Sequence, residues 1–321
     1  MKDIAEHLKR EKPNLSPNSL KVYTLNLQKI FKGIDLDNED ITIKNISKKK
    51  EEIYKFLDPY PDNTARNYMN ALIMFIKTLD GKNDKLLEDM GERRDKLHTT
   101  YKNKVANHEK SDKQKENWLE WEDIQQVFKD LQNQVKALRL KVKNKQKTLS
   151  PAEKMIFQDY LLLGLFVLQP PTRNDYAEMK VLTRKEYNAM SATEKEASNY
   201  YIKDTKGKSS FIYNEYKTKK KYGKKERTVP QDLERIINAW LKINDTGYLL
   251  ITRSGTPLSA NGITKHLTRI FKKEVGKNIG SSMLRHVYLS SKYGEEVKSK
   301  KEDADGMMHS VDQQQDYVLT D

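Results

Sequence analysis

The segment Ser150-Pro-Ala-Glu-Lys-Met-Ile-Phe-Gln-Asp-Tyr-Leu-Leu-Leu-Gly-Leu-Phe-Val-Leu-Gln-Pro-Pro-Thr-Arg173 carries the clearest structural signal in this chain. Ser150 with Glu153 forms a capping box, and Pro151 sits at the first helical position, where its missing N–H costs nothing. From Met155 to Leu168 the residues are apolar on nearly every face, so the helix they form must be surrounded by protein. The uncharged run Leu161–Leu168, interrupted only by Gly164, is far shorter than the ~20 residues a bilayer span needs. Pro170-Pro171 ends the helix. A buried core helix followed by a sharp stop places Thr172-Arg173-Asn174-Asp175 where the chain emerges from the core.

On either side of this helix the chain divides in three. Residues 1–82 read as a small all-helical unit. Ser16-Pro17 is a cap signal ahead of Leu20, Tyr23, Leu27, Ile30 and Phe31 at helical spacing, and a second helix from Asn63-Thr64 carries Tyr68, Leu72, Phe75, Ile76 and Leu79. Residues 83–117 are strongly polar, with weak apolar periodicity and clusters such as Glu92–Lys96 and Lys110–Lys115, and are expected to be an extended or partly helical linker. Residues 118–321 form a second unit. Trp118-Leu-Glu-Trp121 leads into a helix bearing Ile124, Val127, Phe128 and Leu131, and the core helix follows. Tyr200–Lys203, Ser209–Tyr213 and Arg227–Val229 have strand composition, predicting a small antiparallel sheet. Helices return at Leu233–Leu241, Ser259–Val275 and Ser282–Tyr293. The predicted fold class is mainly α with a small antiparallel β sheet.

Composition narrows the chemistry. The 321 residues contain 60 Lys plus Arg against 46 Asp plus Glu, a net charge of +14, and no cysteine. Disulfides, thiolate zinc sites and cysteine nucleophiles are excluded, which favours an intracellular setting. The first residues lack an apolar signal-peptide core, so neither secretion nor membrane insertion is expected. Surplus cations release counterions when they neutralise phosphates, which makes nucleic acid the expected partner. Residues 203–227 concentrate this charge, with ten Lys or Arg against three acids. Gly207-Lys-Ser209 looks like the end of a Walker loop, but Ile202 stands where the phosphate-cradling turn needs glycine, so no nucleotide cofactor is expected.

One ordered set of residues points to a reaction. Arg173 follows the Pro-Pro stop, Lys217 lies in Asn214-Glu-Tyr-Lys-Thr-Lys-Lys-Lys221, Arg285 lies in Ser281-Ser-Met-Leu-Arg-His-Val-Tyr288, and His309 and Tyr317 follow in Met-His-Ser310 and Gln-Asp-Tyr-Val318. A tyrosine phenol can attack phosphorus once activated. Two guanidiniums, each a rigid planar fork, can clamp the equatorial oxygens of the crowded transition state bidentately, as lysines cannot.

This order resembles the tyrosine recombinase (integrase) family, whose catalytic set reads Arg, Lys, His-x-x-Arg, His or Trp, and Tyr. The resemblance covers 118–321, and 1–82 is similar to the family's helical core-binding domain. It implies a DNA breaking-rejoining fold in which Tyr317 is the nucleophile, Arg173 and Arg285 hold the phosphate, Lys217 protonates the leaving 5′-hydroxyl and His309 hydrogen-bonds the scissile phosphate. The link formed is a 3′-phosphotyrosyl ester, so neither ATP nor metal is required. It implies double-stranded DNA as partner, a clamp made by the two units, a homo-tetramer on paired sites, and a viral or mobile-element origin with action in the host nucleus, cytoplasm or viral factory. The sequence departs from the pattern in places. Ser282 occupies the histidine position of His-x-x-Arg, Tyr176 with Asp175 beside it replaces the acidic residue after the first arginine, and the His309–Tyr317 spacing is one residue shorter.

Competing assignments stay open at this level. His266-Leu-Thr-Arg269 also spells His-x-x-Arg, and Lys219, Lys220, Lys221, Lys224 and Lys225 compete with Lys217. Tyr288 and Tyr293 read as packing residues. The same catalytic set would serve a type IB topoisomerase, and a non-catalytic DNA-binding protein on a decayed recombinase scaffold is the rival of another class.

Overall fold

The computed structural model describes residues 3–37, 40–81, 83–106, 109–143, 149–204, 207–307 and 311. His309 and Tyr317 lie outside the described residues. The chain divides into two compact units, Met1–Lys110 and Ser111–Asp321, each with its own apolar core.

The first unit contains α1 (Ile4–Glu11), α2 (Pro17–Gly33), α3 (Ile43–Lys48), α4 (Lys50–Leu57), α5 (Asp62–Ile76) and α6 (Asp84–Ala106). The Ser16 hydroxyl accepts from the Ser19 amide at 3.1 Å with Pro17 in the first turn, so α2 starts where its cap signal lies. α5 is the central element, burying Tyr68, Met69, Leu72, Phe75 and Ile76, and it packs against α2 and α6. The polar stretch 83–117, expected to be extended or partly helical, carries α6 and, in the second unit, the short helix Asp112–Asn117. α6 buries Leu86 and Met90 in the core and packs Leu87 and Leu97 beside it. This contact stripe is too thin to stand out among the charges, and a long helix with so sparse a stripe gains its stability from the neighbour it packs on.

The second unit contains α7 (Asp112–Asn117), α8 (Trp121–Lys143), α9 (Pro151–Val167), β1 (Lys180–Thr183), α10 (Arg184–Ala189), α11 (Ala192–Glu196), β2 (Tyr200–Lys203), β3 (Ser210–Tyr213), α12 (Lys219–Tyr222), β4 (Lys225–Thr228), α13 (Gln231–Trp240), α14 (Ala260–Val275) and α15 (Ser281–Gly306). α9 is buried continuously from Phe157 to Phe166 because α8, α13 and α14 surround it. Its capping box closes as the sequence predicts, with the Ser150 amide donating to Glu153 at 2.8 Å and the Glu153 amide to the Ser150 hydroxyl at 3.3 Å. Gly164 lets α8 approach: a Cβ there would meet the Phe128 ring at 3.3 Å.

The sheet runs β1-β2-β3-β4 and is mixed, which corrects the expected antiparallel sheet. β2–β3 and β3–β4 are antiparallel, whereas β1 pairs parallel to β2, Lys180 opposite Tyr200. A parallel neighbour needs a crossover, supplied here by α10 and α11. Lys180-Val-Leu-Thr183 is too short and too little alternating to announce itself as a strand. Among the described residues no helix is long and apolar enough to cross a membrane.

Candidate active site

Arg173 lies on the loop after α9, and side-chain amides fasten this loop on two sides. The Asn174 amide donates to the Ala260 carbonyl and to the Thr264 hydroxyl, each at 2.8 Å, tying the loop to the first turn of α14. The Asp175 carbonyl accepts from the Asn199 amide at 2.9 Å, tying it to the start of β2. Between these anchors Tyr176 is fully buried, edge-on to Phe166 and Phe211, with its hydroxyl accepting from Gln169 at 2.6 Å. Tyr176 is therefore a core residue, and the carboxylate that faces the site is that of Asp175.

Arg285 reaches the same place from α15. Leu284 and Val287 are buried and fix the rotation of the helix, leaving Arg285 half-buried at the edge of the core and Ser282, one turn earlier, exposed. The Arg285 Nε donates to the Ser281 carbonyl at 3.3 Å. α15 starts against α14: a Cβ on Gly280 would meet the Thr264 methyl at 3.3 Å, and Thr264 is also the acceptor for Asn174. One residue of α14 thus touches both segments that carry the arginines.

The electrostatics record the convergence. Burial holds the Arg285 guanidinium below its ordinary pKa, the positive charge of Arg173 lowers it further, and Asp175 opposes both. Burial raises the Asp175 carboxyl, against the pull of Arg173 and Arg285. Among the described residues neither arginine forms an ion pair with a carboxylate. Two guanidiniums held within reach of each other, one of them partly desolvated, form a site whose repulsion an anion would relieve.

The competing motif has a different environment. Arg269 donates to both carboxylate oxygens of Asp159 at 2.6 Å, and the His266 ring lies 3.5 Å from the same carboxylate. Asp159 is buried on α9. His266-x-x-Arg269 therefore neutralises a carboxylate inside the core of this unit.

Lys217 sits in the turn after β3 and is exposed. It lines a cleft of about 830 Å³ with Lys195, Lys219, Lys220 and Lys224. Several competitors are engaged: Lys219 with Glu215 at 2.6 Å, Lys224 over the Tyr187 ring, and Lys221 and Lys225 over the Tyr222 ring. Among the described residues Lys217 and Lys220 have no ion pair or ring contact. The Lys217 turn is joined to the Arg173 loop through Asn199, which reaches both Asp175 and Glu215.

Several buried tyrosines of this unit are poor nucleophiles. Burial raises the phenols of Tyr176, Tyr200 and Tyr213, and pushes Tyr201 up to about 12. Tyr288 packs edge-on against Trp121, as expected, but Tyr293 is exposed under the Lys292 ammonium instead of packed. Sequence reasoning missed Asn174, Asn199 and Thr264, and polar residues in loops or first turns carry no spacing signal that would single them out. Among the described residues no cluster of His, Asp and Glu has the arrangement to hold a metal ion.

No protein-family model and no curated protein matches the chain. Among solved structures it is similar to the XerH site-specific recombinase bound to difH substrate in a pre-cleavage complex, at 16% identity and a TM-score of 0.47, covering 99% of this chain and 80% of that one. It is similar to XerH bound to a palindromic difH substrate in a post-cleavage complex at 14% identity and a TM-score of 0.42, covering 91% and 73%. It is also similar to the XerA recombinase at 12% identity and a TM-score of 0.33, covering 98% and 94%.

Proposed function

We propose that this chain is a site-specific DNA recombinase of the tyrosine recombinase kind, acting on double-stranded DNA as a tetramer assembled on paired sites. The observation that carries this reading is the pairing of Arg173 with Arg285. They are far apart in sequence, Thr264 touches both segments that carry them, and both attract the Asp175 carboxylate without forming an ion pair with it among the described residues. The natural occupant of such a site is a phosphodiester, whose two non-bridging oxygens match two planar forks.

The mechanism follows from that occupant. Arg173 and Arg285 bind the non-bridging oxygens and stabilise the charge that grows on them as phosphorus becomes five-coordinate. The Tyr317 phenol attacks phosphorus: its oxygen forms the new P–O bond, its proton passes to solvent, and the bond to the 5′-oxygen breaks. The Lys217 ammonium gives its proton to the departing 5′-oxygen. The product is a 3′-phosphotyrosyl ester with a free 5′-hydroxyl, and the same residues run in reverse rejoin that ester to a new 5′-end. Ser282, exposed one turn from Arg285, hydrogen-bonds the phosphate where other members of the family carry histidine, and His309 does so from the C-terminal segment.

A nicked duplex that loses its short leaving fragment on cleavage traps the covalent product. Offered as a randomised library, such duplexes are expected to give a protein–DNA adduct that survives denaturation, with Tyr317 as the modified residue, and Tyr317→Phe is expected to give none. The reading is abandoned if wild type forms no adduct, or if Tyr317→Phe forms the same one.

A further inference from the structure

The two halves of the candidate site, the arginine loop and the lysine turn, are joined by the packing of Tyr176 on Phe211 and Tyr213 and by the hydrogen bonds of one buried side chain. Asn199 precedes β2 and is only 7% exposed. Its amide donates to the Asp175 carbonyl at 2.9 Å and to the Glu215 carbonyl at 2.8 Å. Its carbonyl oxygen accepts from the Asn214 amide at 2.9 Å and the Glu215 amide at 2.8 Å. A primary amide has two donor hydrogens and two acceptor lone pairs, and all four are used. The backbone carbonyl of Asn199 also accepts from Lys180 at 3.0 Å, which fixes the residue to β1. The arrangement is locked from the other side by Asn214, whose amide donates to the Lys195 and Ser198 carbonyls at 2.7 and 3.0 Å.

Beyond Glu215 the turn is closed on itself, with the Tyr216 hydroxyl donating to the Gly223 carbonyl at 2.6 Å. Lys219 pairs with Glu215 on the surface, and exposed pairs of this kind contribute little. Asn199 is the side chain whose hydrogen bonds reach both Asp175, two residues from Arg173, and Glu215, two residues from Lys217. General-acid catalysis needs its donor within hydrogen-bond reach of the departing oxygen, and a misplacement of about 1 Å can cost ~10²-fold in rate.

We infer that Asn199 is a positioning residue that holds the Lys217 ammonium in register with the arginine-bound phosphate, so that protonation of the 5′-oxygen keeps pace with P–O cleavage. This inference rests on the strand-transfer reading above. In the step concerned, the Tyr317 oxygen bonds to phosphorus, the bond from phosphorus to the 5′-oxygen breaks with its electron pair passing to that oxygen, and the Lys217 proton completes the hydroxyl.

The test replaces the 5′-bridging oxygen of the nicked duplex with sulfur. A thiolate is a far better leaving group than an alkoxide and departs without a proton, so a defect in proton delivery disappears on this substrate while a defect in phosphate binding or folding persists. Asn199→Ala, and Asn199→Asp as the shape-conserving variant that loses the amide donors, are each expected to cleave the oxygen duplex about 10²-fold more slowly. Both are expected to cleave the sulfur duplex within about threefold of wild type and to bind duplex DNA as wild type does. Adding Asn199→Ala to Lys217→Ala is expected to slow oxygen-duplex cleavage no further, because residues that act as a unit are not additive.

A defect equal on both duplexes, or a double variant much slower than Lys217→Ala, overturns the positioning role, as does wild-type speed for both single variants on oxygen. A wild-type protein that cleaves neither duplex overturns the strand-transfer reading instead, which separates the two failures.

Discussion

Arg269 on α14 and Arg285 on α15 are carried by consecutive helices, each one turn after a polar residue, His266 in one case and Ser282 in the other. Their surroundings differ in kind. Arg269 meets the buried Asp159 through both carboxylate oxygens, so its charge is spent within the fold. Arg285 meets a backbone carbonyl, the like charge of Arg173 and the opposing charge of Asp175, with which it forms no ion pair among the described residues. The first arrangement lowers the energy of the folded chain by itself. The second raises it until an anion arrives. A cation that the fold leaves without an ion pair at the edge of its core is the better indicator of a ligand than the motif it belongs to.

The largest effects that would break this comparison come from exchanging the two roles. On the proposed mechanism, Arg285→Ala and Arg173→Ala are each expected to slow adduct formation by ~10²–10³ with little change in Tm, since neither forms an ion pair with a carboxylate among the described residues. Arg269→Ala is expected to do the reverse. Asp159 keeps a buried charge without its main partner, at a cost of about 2–3 kcal/mol; a fully buried pair would cost about 3–5, but Arg269 is half-exposed. Thermal melting and single-turnover cleavage of the folded fraction separate the two cases. If Arg269→Ala stays stable and cleaves slowly while Arg285→Ala unfolds, the assignments are inverted.

A smaller effect sharpens the picture of how the arginine loop is held. Asn174→Ala removes both ties to α14 and is expected to reduce stability by about 1–2 kcal/mol, with cleavage about tenfold slower because Arg173 loses its fixed offset from Arg285. Unchanged cleavage would mean that the ties to α14 are not what places Arg173.

The smallest effect concerns Asp175. Its carboxyl is raised in the folded chain, chiefly by burial. The proton-bound form is thus favoured by folding, and this contribution is complete below the unfolded value of about 3.9 and lost as pH rises through the higher folded value. Asp175→Asn is expected to melt slightly above wild type at neutral pH, with the difference closing as pH falls toward about 4. A variant less stable than wild type at neutral pH would show that the carboxylate's attraction to the arginines outweighs its burial.

Much of this was legible in the residues because local signals and tertiary packing agree. Ser16-Pro17 and Ser150-Pro-Ala-Glu153 start helices through contacts that reach only three residues ahead, and α9 is buried where its apolar run predicts. Arg173, Lys217 and Arg285 were nominated from their order along the chain alone. Other features were not legible, because their cause lies elsewhere in the chain. α6 is helical on account of α5, and β1 is a strand on account of β2. Asn199 looks like an ordinary turn residue until Asp175 and Glu215 are brought to it.

By itself, then, the sequence determined where helices begin and which one forms the centre of the second unit, and it singled out Arg173, Lys217 and Arg285 as candidates for phosphodiester chemistry. Capping geometry, helical period and side-chain chemistry act over a few residues and need no fold to express them. Only the tertiary structure decided which arginine is neutralised, since Asp159 and Arg269 are distant along the chain and adjacent in space. It alone decided that Arg173, Asp175 and Arg285 share one electrostatic environment, because charges interact through distance in space and not through separation in sequence.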